Sequence, residues 1–151
     1  MTDNQKEVLN IAVRLLSMRE HSRAELQRKL IQRKQAADDI ELILEKLASE
    51  GLQSDERFAE QYIHFRAEKG YGPKRLKLEL KEKGLASVLI ESGLSEAEVN
   101  WFDLALDVWR KKFKDQVAEN WQEKSKQMQF LDYRGFTREQ IQSCIGQDEY
   151  D

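Results

Sequence analysis

The sequence predicts an all-α protein made of three tandem three-helix, helix-turn-helix-like repeats, and three observations carry that expectation. Charged residues make up 35% of the 151 positions while proline occurs once and glycine seven times, which favours long helices over a turn-rich β architecture. Apolar residues recur at i, i+3, i+4, i+7, the spacing of one helix face. The pattern then returns with a period near 50 residues, which calls for several small cores in series instead of one large one.

The first repeat is expected over 3–52. Val8, Ile11, Ala12 and Leu15 form its opening stripe, Ser22-Arg23-Ala24-Glu25 is a capping box that starts the helix carrying Leu26 and Leu30, and Ile40, Ile43, Leu44 and Leu47 form the third stripe before Gly51. The second repeat is expected over 54–94. Phe58, Ala59, Tyr62 and Phe65 open it, Gly70 can take the left-handed conformation that stops a helix, and Pro73 has the fixed φ of a first helical position. Leu76 and Leu80 share one face before Gly84. In the helix that follows, Ala86 replaces a polar cap and Gly93 is expected to interrupt the end, leaving a short or frayed element.

The third repeat is expected over 95–147, opened by a Ser95-Glu96-Ala97-Glu98 box and closed after a Thr137-Arg138-Glu139-Gln140 box. Its first helix carries two apolar stripes, Trp101, Leu104, Ala105, Val108 and Phe102, Leu106, Trp109, Phe113, spanning roughly 200° of the wheel. One stripe is expected to serve its own repeat and the other to pack against the second; an exposed aromatic patch is the alternative. The repeats register on one another: Val8, Ala12 and Leu15 fall on Phe58, Tyr62 and Phe65, Leu26 and Leu30 on Leu76 and Leu80, and Leu80-Lys83-Gly84-Leu85 on Leu131-Arg134-Gly135-Phe136.

Composition excludes several classes of function. A single cysteine, Cys144, rules out an internal disulfide and any CxxC site, and its place beside Ile141 and Ile145 suggests packing. The polar N-terminus and the lack of a ~20-residue apolar run point to a cytoplasmic protein with no membrane partner. No HExxH motif is present, the two histidines lack ligand companions, and Gly70-Tyr71-Gly72-Pro73-Lys74 lacks the spacing of a phosphate loop. No catalytic residue, metal or cofactor is therefore expected. A net charge of −3 argues against nucleic-acid wrapping by bulk charge, but residues 64–83 hold seven Lys or Arg against three Glu.

Within that basic segment, Lys74, Lys77 and Lys81 fall at i, i+3, i+7 on the helix begun by Pro73, with Leu78 beside them. They are read as an unpaired cationic ridge, although a solvated lysine face would need no partner. Arg66 and Lys69 end the preceding helix at the same corner. Arg75 has Glu79 at i+4 and can be occupied by it. A second cluster, Arg110-Lys111-Lys112-Phe113-Lys114, suits the negative end of its own helix and needs no partner to explain it.

These residues resemble the RecX family of RecA regulators. The resemblance rests on Ser22-x-x-Glu25-Leu26-x-x-Lys29-Leu30, on Asp55-x-Arg57-Phe58-Ala59, on Arg66-x-x-Lys69-Gly70-x-Gly72-Pro73-x-Arg75-Leu76-x-x-Glu79-Leu80-x-x-Lys83-Gly84-Leu85, and on Arg134-Gly135-Phe136. It implies tandem three-helix repeats in an elongated, curved array. It also implies a monomeric, non-enzymatic regulator that binds the groove of the RecA nucleoprotein filament and inhibits its ATPase, recombinase and coprotease activities, modulating homologous recombination and the SOS response. Weak contact with single- or double-stranded DNA is a further implication. Arg66, Lys69, Arg75 and Lys83 are the matched basic positions; Lys74, Lys77, Leu78 and Lys81 are added from this chain's own pattern. A helix-turn-helix DNA-binding regulator is the alternative, and a purely structural helical adaptor is another.

Overall fold

Residues 1–146 are described by a computed structural model, and among them the chain forms nine α-helices and no strand. In order these are α1 (Asp3–Met18), α2 (Arg23–Gln32), α3 (Ala37–Ser49), α4 (Asp55–Glu68), α5 (Pro73–Glu82), α6 (Ser87–Glu96), α7 (Trp101–Phe113), α8 (Trp121–Tyr133) and α9 (Arg138–Ile145). Two compact units result: one holds Met1–Gln61 with Leu80–Gly93, the other Tyr62–Glu79 with the chain from Leu94 onward. Helices α4, α5 and α6 each contribute residues to both. The 147 end expected for the third repeat lies outside the described residues.

In the first unit, α1, α2 and α3 close on a core of Val8, Ala12, Leu15, Leu26, Leu30, Ile40, Ile43, Leu44 and Leu47. These are the positions marked by the 3.6-residue spacing, and Ile11 packs against them from the edge. Ser22 caps α2 as a full capping box with Glu25, and Thr2 does the same for α1 with Gln5. Helix α3 starts at Ala36 with no side-chain cap; Asp38 and Asp39 in its first turn complement the helix dipole instead.

The turn from α2 to α3 shows why the period near 50 exists. At Lys34, Gly84 and Gly135 the backbone is left-handed, with φ of 62°, 85° and 98°. The amide after each bonds back to a carbonyl five residues earlier: Gln35 to Leu30, Leu85 to Leu80 and Phe136 to Leu131, all at 3.2 Å. The same cap ends α2, α5 and α8, and glycine fills it in two repeats while lysine tolerates it in the first.

In the second unit α7, α8 and α9 enclose Ala105, Trp109, Leu131, Phe136 and Ile141, with Leu104, Leu106, Val108, Phe113 and Cys144 partly buried around them. Both stripes of α7 contribute. Trp109 Nε1 donates to Gln127 Oε1 at 2.9 Å, and Gln127 Nε2 donates to the Gln116 carbonyl at 3.0 Å, pinning the α7–α8 loop. Phe102 stays 47% exposed.

Two expected boundaries are corrected. Ser95 does not cap α7: it lies inside α6, and Asn100 is the cap, its Oδ1 accepting from the Asp103 amide at 3.1 Å. Asn100 directly precedes the first apolar residue, Trp101, so the Asn cap is in register with the buried face and Ser95 is not. Nor does Gly93 end α6, which runs through it to Glu96. One interior glycine costs only about 1 kcal/mol against alanine, which buried Ile90 offsets.

Candidate partner-binding corner

The basic corner in the second unit is assembled around two glycines. Gly70 takes φ 87°, and the Tyr71 amide bonds back to the Arg66 carbonyl at 3.2 Å, ending α4. Gly72 is required by proximity: a Cβ there would lie 2.6 Å from the Gly135 carbonyl carbon and oxygen. That approach lets the Gly72 amide donate to Arg134 O at 2.8 Å and the Lys74 amide to Gly135 O at 2.9 Å. Main-chain carbonyls of the α8–α9 turn thus satisfy amides at the start of α5, where a side-chain cap would otherwise be needed.

Glu79 is the hub of this corner. Its carboxylate accepts from Tyr62 Oη at 2.7 Å, from Arg66 Nε and Nη2 at 3.0 and 2.9 Å, and from Arg75 Nε at 3.1 Å. Burial pushes its pKa up, but the hydrogen bonds from Arg66, Tyr62 and Arg75 outweigh burial and hold it below the ordinary carboxylate range. The Tyr71 ring lies under three guanidiniums, Arg66 at 3.9 Å, Arg75 at 4.6 Å and Arg134 at 4.9 Å. Arg134 also donates to the Lys69 carbonyl at 3.1 Å, and Arg75 to the Tyr133 carbonyl at 3.3 Å.

The expected site residues therefore divide. Arg66 and Arg75 are brought together on Glu79, and Lys69 stands over the Phe65 ring at 4.9 Å. Lys74, Lys77 and Leu78 are exposed on α5, Leu78 at 64%. The ridge is not unpaired: Lys74 bonds Asp132 at 3.0 Å, although both side chains are more than half exposed and such a pair is worth little. Asp132 lies 58 residues away in sequence, so helical spacing within α5 could not reveal it.

Lys81 and Lys83 belong to the first unit. Lys81 is exposed, whereas Lys83 Nζ lies 3.3 Å from Glu25 Oε2 and its carbonyl accepts from Ser22 Oγ at 2.7 Å. There the α5–α6 turn rests on the start of α2, and a Cβ at Gly84 would overlap that of Ala24. Shifted by 51 residues, Ala24, Lys83 and Gly84 become Arg75, Arg134 and Gly135, which form the equivalent joint in the second unit. Lys83 thus helps build a repeat joint. Glu25 at that joint is held at a pKa of about 2: burial opposes this, and bonds from Arg19 and the Ser22 amide, with the Lys83 charge, prevail. Tyr71, Glu79 and Arg134 as a connected group, and Glu25 with His21, were not legible as site features; a repeated Lys/Arg-Gly at a helix end was their one signal.

No group of three metal-ligating side chains occurs among the described residues, and no described helix is long and apolar enough to cross a membrane.

The arrangement defines a class, an all-α tandem-repeat protein whose exposed chemistry is a basic helix face and an arginine–tyrosine corner. Comparison with known proteins places it more closely. Residues 9–47, 54–94 and 98–145 match, in order, the first, second and third three-helix domains of RecX. A relative from Pseudomonas putida named "Regulatory protein RecX" is 42% identical over 139 residues, covering 92% of this chain and 89% of its own. One of the same name from Pseudomonas entomophila is 41% identical over 150 residues, covering 99% and 97%. A crystal structure of RecX from Lactobacillus salivarius shares the fold, with a TM-score of 0.82, 23% identity and 96% of each chain covered. The chain belongs to the RecX family.

Proposed function

We propose that this chain is a non-enzymatic regulator that binds the RecA nucleoprotein filament and inhibits its ATPase, recombinase and coprotease activities, modulating recombination and the SOS response. Membership of a family whose members are named regulatory proteins supports a regulatory role. The observation that carries the reading is α5, which in a chain of net charge −3 exposes Lys74, Lys77, Leu78 and Lys81 at helical spacing. Arg66, Lys69 and Arg75 flank it, and Lys83 acts from the joint. Cations around an apolar residue fit a surface rich in phosphates or carboxylates that also offers an apolar contact. Binding energy restrains the subunit change that ATP turnover requires, with no chemistry at the regulator itself.

In the same proposal the protein is a cytoplasmic monomer of three repeats, 3–52, 54–94 and 95–147. A duplex-reading helix-turn-helix fits less well, because the exposed face of α5 offers lysines, which suit a backbone, and lacks the Asn, Gln or Arg that address base edges. Co-sedimentation at fixed salt tests the choice. The protein is expected to pellet with RecA-coated single strands and to remain in the supernatant with an equal mass of naked duplex. Duplex binding of equal affinity with sequence preference would favour the helix-turn-helix alternative.

A further inference from the structure

We propose that the groove between α8 and α9 of the second unit is a docking site for this chain's own acidic segment 147–151, which follows the described residues. The groove holds about 940 Å³, within the size range that takes a small ligand or a short peptide strand. Met128, Ile141 and Ile145 give it an apolar lining, and Trp121, Lys74 and Arg138 border it. Trp121 opens α8 and Asp132 stands eleven residues on, about 16 Å along the helix axis, so the indole and the Lys74–Asp132 pair mark opposite ends. The indole is 66% exposed and takes no part in the core of its unit.

Position favours that segment over an outside partner. Gly146 itself lines the groove, and with φ of 82° it ends α9, so the chain leaves the helix there. Reach suffices: five residues extend to about 17 Å, while Arg138 lies seven residues before Ile145 on α9, about 10 Å along its axis. Charge is complementary as well. Residues 147–151 read Gln-Asp-Glu-Tyr-Asp, three carboxylates around one ring. Lys74, Lys124 and Arg138 outnumber Asp132 and Glu139 at the groove, and Asp132 is already bonded to Lys74. Tyr150 offers an apolar body for the Met128, Ile141 and Ile145 lining and a polar tip for the rim. Tethered at Gly146, the segment needs only a weak contact, because its effective concentration is on the order of millimolar. Held there, it shields Lys74 at one end of the exposed α5 face; what that does to a partner of α5 rests on the regulatory reading, and the docking itself does not.

Two readouts on the full chain, with no recombinase present, test the docking alone. One is the indole N–H resonance of Trp121, assigned by its loss in Trp121→Phe; the other is acylation of Lys74 by acetic anhydride, scored by mass spectrometry against Lys111 as internal reference. The variant Asp148→Asn/Glu149→Gln/Tyr150→Ala/Asp151→Asn changes only residues beyond α9. It is expected to move the Trp121 indole and to leave those of Trp101 and Trp109 in place. Lys74 acylation should speed up roughly threefold, as release of a segment docked about two-thirds of the time would produce. Arg138→Glu should speed it similarly, and the fold should tolerate that change because an acidic residue suits the start of α9. Salt at about 0.5 M should bring the parent toward the segment variant. An unmoved Trp121 indole or unchanged Lys74 acylation in the segment variant would overturn the proposal, leaving the groove to an outside acidic partner, and so would an Arg138→Glu chain that labels like the parent. A Trp121 shift in the parent that grows with protein concentration would overturn it too, by seating a second copy's segment there.

Discussion

At Gly135 the φ of 98° and the nearby Arg75 Cβ, which an added Cβ would meet at 2.3 Å, leave no room for a side chain, and Gly84 stands in the same relation to Ala24. Gly135→Ala and Gly84→Ala are each expected to cost about 3 kcal/mol, combining left-handed strain with displacement of the opposing helix start. Gly51→Ala has the same sign of φ but nothing within 4 Å, and should cost about 1 kcal/mol. Urea denaturation of the three variants checks the order. Glu25 and His21 set the acid response of the first unit. A carboxylate depressed to about 2 contributes stability that is complete above its ordinary pKa of 4.5 and is lost as pH falls from there toward 2. His21 is buried, its Nδ1–H donating to the Arg19 carbonyl at 2.9 Å and its Nε2 accepting from Lys29 Nζ at 2.8 Å. Burial first, and then the charges of Arg19 and Lys29, lower its pKa below 6.5, so its contribution is complete above 6.5 and declines as pH drops toward the folded value. Stability should therefore fall in two stages on acidification, and Glu25→Gln, costing about 1–2 kcal/mol at pH 7, should flatten the lower one in a series of melts. Cys144 was expected to be a packing residue, and its thiol is pushed up to about 11 by burial. Alkylation of the native protein at pH 8 should be many-fold slower than in urea.

Helix α5 shows what a single element discloses from its own residues. Leu76 and Leu80, placed inward by spacing, are fully buried; Pro73 begins the helix; Arg75 pairs with Glu79 one turn on. These relations are local, and local periodicity reports them. The Arg66–Glu79, Lys74–Asp132 and Lys83–Glu25 pairs join residues 13, 58 and 58 apart, and no helical wheel contains them. Caps divide similarly. Ser22 and Thr137 are boxes in fact, while Ser95 fits the motif and fails because the buried stripe of α7 begins at Trp101. Changing Lys74, Lys77 and Lys81 together to Glu should leave the helix folded, with thermal stability within about 1 kcal/mol of the parent: Leu76 and Leu80 are untouched, and Glu at position 74 suits the helix N-terminus. Repulsion between that Glu and Asp132 adds a cost, and exposure keeps it small.

For the whole chain, the all-α class and the three-fold repetition were legible because one left-handed cap recurs at Lys34, Gly84 and Gly135, and a cap needing glycine in two of three copies leaves a visible period. The joints built on those caps were not legible. Each depends on a close approach between segments roughly sixty residues apart, Gly84 on Ala24 and Gly135 on Arg75, that no local pattern encodes. The partition into two compact units that share α4, α5 and α6 follows from such contacts and was likewise hidden. A measurement of RecA ATPase on single-stranded DNA, titrated at fixed salt with the parent chain, with Lys74→Glu/Lys77→Glu/Lys81→Glu and with Lys111→Glu/Lys112→Glu, tests the central claim most directly. The parent should inhibit, the α5 triple variant should lose at least tenfold in potency while remaining folded, and the α7 pair, which sits at its own helix end, should stay within about twofold of the parent. Full inhibition by the folded triple variant would contradict the account, reducing the exposed face of α5 to a solvated surface.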